Sequence, residues 1–301
     1  MPHRPSPLSH PQSARRRRPR ARRAAGRVGV LAAFVAMLLS AGTLAPALAA
    51  TAPTGPDDAT THFRALVRPE GKERVTAAVL DLDGMDREPV VYGDDSPYDT
   101  ASIVKVDILA VALLQAQNAG HDLTARERAW AAAMIERSDN AAANALWRRI
   151  GLAPGLEAAN KQLGLTSTKG GPGVRWGLTR TTASDQIRLL RAVFDTAPAP
   201  RATPTALNES SRTYIRTLMA HVVGEQAWGV SAAAGSGWAL KNGWLQRSRT
   251  GLWDVNSVGQ VTTSGHRYLV AVLSDGSTSM KDGVSLVERA ARAAVSSATA
   301  R

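Results

Sequence analysis

Strand-like patterns cluster at the two ends of this chain, and that placement limits what it can fold into. VTAAVLDLDG (75–84) reads as a strand running into a turn, and EPVVYG (88–93) as a second. The next three come much later, as GWALKNGWL (237–245), LWDVNSVGQV (252–261) and HRYLVAVLSDG (266–276). Helical periodicity fills the interval. One pattern covers Ser102 to about Asn118. Another opens at Thr124, with Glu127 three residues on as in a capping box, and NAAANALWRRIG continues helically to Gly151. Further helices are expected over 155–164, after the Thr181-Thr182 pair, and over 211–223. A first helix is expected around His62–Val67 and an amphipathic one over about 281–295. The fold class is therefore α+β. An antiparallel sheet is drawn from both chain ends and flanked by helices, and a central all-helical lobe stands beside it. The lobes divide at about 62–98 with 226–301 against 99–225, and the cleft between them is the natural place for a site.

The net charge of +12 gives little support to nucleic-acid binding. Nine arginines and no acidic residue lie in the first 49 positions; the remainder holds 28 basic and 25 acidic residues. Those 49 residues form a basic region through Arg27, an apolar segment VGVLAAFVAMLLSAG, and small residues at Ala47-Leu48-Ala49, the three parts of a secretory signal peptide. Residues 50–61 read as a polar linker, and 62–301 as the functional domain. The expected location is outside the cell membrane or in the cell-wall space, with no membrane contact once the leader is removed. With no cysteine, the chain must be held by its core.

TASIVKVDILAVALLQ, starting at Thr100, poses a chemical question. Lysine is almost never buried without a partner, yet Lys105 lies in an otherwise apolar helix. Ser102, three residues earlier, shares its helix face and is the expected partner. Farther on stand Ser138-Asp139-Asn140 at a helix junction and Lys241-Asn242-Gly243 in a predicted strand.

These three elements, in this order, resemble the S-x-x-K, S-D-N and K-T-G motifs of the penicillin-recognising serine enzymes, and class A β-lactamases in particular. The resemblance covers nearly the whole chain after the leader. It implies that Ser102 is the nucleophile at a helix N-terminus, with its own N–H and that of Trp244 forming an oxyanion hole. Lys105 is the implied base if its pKa is depressed, and Ser138, positioned by Lys241, passes a proton to the leaving nitrogen. Asn140, Asn242, Gly243 and Trp244 line the substrate site by the same resemblance, while Asp139 pins the loop. The expected partner is a small β-lactam or a peptidoglycan peptide, acted on by a monomer without cofactor or metal. A penicillin-binding or D,D-peptidase-like protein, and a secreted module that only binds cell-wall peptide, are the alternatives.

Three departures bear on turnover. Class A β-lactamases carry a deacylating glutamate in the loop after the Ser-Asp-Asn element, but this chain has no Glu between Glu157 and Glu209. Asp185, inside the following helix, is a poor substitute. Asn242 replaces the hydroxyl residue that, in the family, meets the substrate carboxylate. The short stretch LLQAQNAGHDLT leaves little room for a wall beside the cleft. Trp176, in the glycine-rich loop 166–180, either covers the cleft or anchors the loop. Arg247 and Arg249 either meet an anionic substrate or are solvated. His62, His121, His221 and His266 form no H-x-x-x-H pair, so a zinc site is not expected.

Overall fold

The structure, a computed structural model, describes residues 56–85, 87–197 and 206–299. The signal-peptide reading falls outside the described residues. Helix α1 (Pro56–Val67) opens inside the stretch read as a linker, with proline at its first position, where the missing N–H removes no hydrogen bond. Strands β1 (Arg74–Asp81) and β2 (Val90–Tyr92) follow. A short strand β3 (Tyr98–Asp99) leads to a single 3-10 turn, Ala101–Ile103, and helix α2 (Val104–Asn118). The helical block continues as α3 (Ala125–Glu136), α4 (Asn140–Arg149) and α5 (Leu152–Leu163). Strand β4 (Arg180–Thr181) pairs with β3, and α6 (Ala183–Phe194) and α7 (Glu209–Ala220) complete the block. The chain returns through β5 (Gly237–Gln246), β6 (Trp253–Thr263), β7 (His266–Ser277) and α8 (Met280–Thr299).

The expected sheet is present: five antiparallel strands in the order β2-β1-β7-β6-β5. Strand β1 is nearly continuous in apolar residues because both its faces are covered. Ala77 and Val79 pack with Phe63, Val67, Leu286 and Ala290 of the flanking helices, while Ala78 and Leu80 join the larger core around α2. Helix α2 is buried along almost its whole length, as its lack of a polar face requires.

Helix boundaries follow side-chain caps. The Thr124–Glu127 capping box forms as expected. Asp139 caps α4 by accepting from the Ala142 N–H at 2.7 Å, which is how it pins the loop. Thr182 and Asn208 cap α6 and α7 in the same way. Helix α5 starts three residues earlier than its apolar pattern suggested, because left-handed Gly151 (φ 90°) reverses the chain directly into it.

Candidate active site

Ser102 sits half-buried in the 3-10 turn just before α2. Ala101, before it, holds φ at 47°, a left-handed conformation that costs a non-glycine residue about 1–3 kcal/mol. Two contacts impose it. Asn256 of β6, fully buried, donates to the carbonyls of Asp99 (2.9 Å) and Thr100 (3.1 Å). Gly243 of β5 presses its backbone against the turn, so that a Cβ there would lie 2.7 Å from the Ser102 nitrogen and 2.8 Å from the Thr100 oxygen. Only glycine lets the edge strand come this close to the backbone of Ser102. Asn256 was not identified from sequence; its signal was a lone amide at the centre of a buried strand.

Lys105 departs from the sequence expectation. Its Nζ bonds not to Ser102 but to the Ser138 carbonyl (2.8 Å), Ser138 Oγ (3.0 Å) and Asn140 Oδ1 (2.8 Å). The junction of α3 and α4 carries both partners to it, with Ser138 held at φ 55°. A neutral amine satisfies this set: its two hydrogens serve the two pure acceptors, and its lone pair takes the Ser138 hydroxyl hydrogen. From the other side Lys241 Nζ reaches the same Oγ at 3.0 Å, and also the Asn242 carbonyl at 2.9 Å. Both lysines are fully buried. Burial pushes the Lys105 ammonium down to about 7, with Asp139 pulling the other way. Lys241 is driven well below its usual range by burial first and then by the neighbouring Lys105.

Ser102, Lys105, Ser138, Asn140, Lys241 and Gly243 thus converge on one site, although they come from a helix start, a helix junction and an edge strand. Asn242 does not join them. It is fully buried, and its Nδ2 donates to the carbonyls of Gln226 (2.7 Å) and Trp228 (2.9 Å), so its amide hydrogens are not available to a substrate. Its assignment to the substrate carboxylate is corrected accordingly: alternation along β5 turns it away from Lys241 and onto the 226–230 segment. Arg247 is not free either. It pairs with Asp99 and with Asp254 (2.6 Å), bracing the β5–β6 hairpin.

The loop 166–180 is tied to the nucleophile segment by the Thr100 N–H donating to the Thr179 carbonyl at 2.8 Å. Trp176 does both things foreseen for it. Its indole N–H anchors on Asn144 Oδ1 at 2.8 Å, and its ring lies 4.7 Å from Lys105 Nζ. Asn144 and Trp147, whose indole N–H donates to the Gly173 carbonyl at 2.8 Å, fix this loop and were also missed from sequence. The nearby acids are occupied. Glu157 accepts from the Gly170 N–H, and Asp185 accepts from Ser167, Thr168 and Arg188. Among the described residues, no carboxylate is hydrogen-bonded to Ser102, Lys105, Ser138 or Lys241.

A family model described as the Beta-lactamase enzyme family matches residues 114–298, more than half of the chain. The chain belongs to this family. The match includes Ser138 and Lys241 and begins after Ser102 and Lys105. Among solved structures, PBP-A is 19% identical, covering 81% of this chain and 97% of its own with a TM-score of 0.67. The TLA-1 extended-spectrum β-lactamase is 15% identical over 81% and 99%, with a TM-score of 0.68. A class A β-lactamase from Bacteroides cellulosilyticus is 15% identical over 82% and 99%, with a TM-score of 0.67. At these identities the likeness shows the β-lactamase fold. A search of curated proteins returned no match.

Proposed function

We propose that this β-lactamase-family chain is an exported serine hydrolase that forms an acyl-enzyme on Ser102 with β-lactams or related amides and releases it slowly. The observation that carries the reading is the Ser138 hydroxyl held 3.0 Å from both Lys105 Nζ and Lys241 Nζ. Neutral Lys105 takes the Ser102 proton as Oγ attacks the carbonyl carbon. The N–H groups of Ser102 and Trp244 receive the oxyanion. The proton then passes through Ser138 to the nitrogen as the C–N bond breaks, leaving an ester on Ser102 and a neutral amine. Asn140 steadies the resting Lys105 through its Oδ1 and offers its amide hydrogens to the substrate.

Hydrolysis of that ester needs a base for water, and the loop above Ser102 offers glycine and tryptophan instead of a carboxylate. This favours a second reading, a penicillin-binding protein acting on cell-wall peptide, in which the acyl-enzyme persists. A neighbour of the same fold, a PBP-A point mutant, was solved as its acyl-enzyme with penicillin-G. Intact-protein mass spectrometry after penicillin addition tests both readings: the adduct should appear on the wild type and be absent from Ser102→Ala. Labelling of Ser102→Ala at the wild-type rate would reject the nucleophile. A stopped-flow trace with a chromogenic β-lactam should show a burst equal to the enzyme concentration and then slow turnover. Export rests on the leader, and N-terminal sequencing of secreted protein should find a start near Ala50; a mature chain retaining Arg15–Arg27 would refute it.

A further inference from the structure

Ser138 and Lys241 meet at 3.0 Å although one lies at a helix junction and the other on the edge strand β5, 103 residues on. The segment 223–230 ties the two together. At the α3–α4 junction, the Val223 N–H donates to the Glu136 carbonyl at 3.0 Å. Gln226 Nε2 donates to the carbonyl of Arg137, the residue before Ser138, at 3.1 Å. On β5, Asn242, the residue after Lys241, donates through Nδ2 to the carbonyls of Gln226 (2.7 Å) and Trp228 (2.9 Å). The Val230 N–H then donates to Ser257 Oγ of β6 at 2.9 Å, which moors the segment to the sheet. Gln226 is the residue held on both sides, by its side chain to the junction and by its carbonyl to β5.

This tie bears on one step of the proposed reaction. As the C–N bond breaks, the nitrogen must receive a proton, and Ser138 delivers it. Ser138 holds a left-handed backbone (φ 55°), a conformation that persists only where its surroundings impose it. Lys105 and Lys241 flank its hydroxyl and repel whenever both are charged, which drives the junction and the strand apart unless they are held. Hydrogen bonds weaken steeply when bent or stretched, so proton delivery depends on that hold. The Gln226 side chain is half-buried, and its Oε1 has no partner among the described residues, so a single hydrogen bond fixes it on the junction.

We propose that Gln226 is a positioning residue for proton delivery, tying the Ser138 junction to the Lys241 strand, and that Asn242 is its anchor on β5. This rests on the acyl-enzyme reading above. Two reagents separate proton delivery from the attack by Ser102. Opening of benzylpenicillin forms the bond from Ser102 Oγ to carbon and breaks C–N, with a proton passing to the nitrogen. A fluorophosphonate forms the bond from Oγ to phosphorus and breaks P–F; fluoride leaves without a proton, and the Ser102 proton stays on Lys105. Both rates are followed by intact mass on the full protein. Gln226→Met should lower the penicillin rate about fivefold more than the fluorophosphonate rate. Asn242→Leu, which cuts two hydrogen bonds, should lower it about tenfold or more by the same comparison. If Asn242→Leu fails to fold, Gln226→Met decides alone. An unchanged ratio of the two rates in Gln226→Met, through no loss or through equal losses, overturns the positioning role and leaves the acyl-enzyme reading intact. A wild type that takes the fluorophosphonate and no penicillin overturns the acyl-enzyme reading, and the role of Gln226 with it.

Discussion

At the scale of single residues, the proposed chemistry depends on a lysine that loses its proton near pH 7. Because burial brings Lys105 down to about 7, the fraction able to accept a proton falls about tenfold for each pH unit below that value and levels off above it. Acylation measured between pH 5 and 9 should rise with that slope and reach a plateau; a rate flat down to pH 5 would remove Lys105 as the base. Lys105→Met should slow acylation by about 10²–10⁴, the usual worth of a positioned base. A second residue-scale expectation concerns Gly177. Its φ is not left-handed, and a Cβ there would have as its nearest neighbour the Cα of Ala101, at 3.8 Å, so a side chain fits next to the nucleophile segment. Gly177→Glu should therefore put a carboxylate over the ester and speed deacylation by about 10²–10⁴. The stopped-flow burst would shrink or vanish as steady-state turnover rose, and a burst unchanged in size and decay would show that the position does not reach the ester.

At the scale of elements, α2 carries two ionisable groups inside the core, one for the site and one for the scaffold. Asp107 is fully buried and accepts from Asn160 Nδ2 of α5 at 2.9 Å, while its Oδ1 and the Asn160 Oδ1 have no partner among the described residues. Burial, reinforced by nearby Asp185, lifts Asp107 to about 7. A proton on Asp107 supplies the donor that Asn160 lacks. The folded state then holds a proton that the unfolded chain releases near pH 3.8, so stability falls as pH rises from about 4 to 7, by on the order of 4 kcal/mol. Asp107→Asn keeps a neutral pair and should abolish that slope in denaturant midpoints at pH 4.5 and 7; an unchanged slope would place its origin elsewhere. The elements themselves were largely legible in the sequence, because strand alternation, the Thr124 box and the Thr181-Thr182 helix start are local signals. The convergence of Ser102, Ser138 and Lys241 was legible only through their motifs. What stayed hidden was direction. Nothing local says that Lys105 turns to Ser138 rather than Ser102, or that Asn242 faces Gln226 rather than the cleft, since strand packing decides both. Asn256 was hidden because a buried amide reads as an irregularity until its carbonyl partners, more than 150 residues away, are placed.

At the scale of the whole molecule, the buried charges act against each other. Asp107 weakens the fold as pH approaches 7 from the acid side. Lys105, neutral in the folded state above about 7 but protonated when unfolded up to about 10.5, strengthens it on the alkaline side, and Lys241 acts in the same direction. From these groups the protein should be least stable near pH 7. Lys105→Met should lose about one proton's worth of the alkaline rise, roughly 3 kcal/mol between pH 7.5 and 9.5, in reversible denaturant titrations; an equal rise in both proteins would contradict the burial of that charge. The sheet has a further consequence, for order in time. Strand β1 pairs along its length with β7, and Arg74 at its start meets Asp275, 201 residues later. As a chain emerges from the ribosome, β1 has only the short β2 beside it until β7, the last of the described strands, is made. Ser102 likewise waits for Gly243 and Asn256, which press its turn into shape. A nascent chain therefore lacks the shaped Ser102 turn until β6 has been made, and its longest-waiting strand is an adhesive edge throughout. The delay thus falls on both at once: the partner of β1 and the groups that shape the Ser102 turn are all supplied by the late strands β5, β6 and β7.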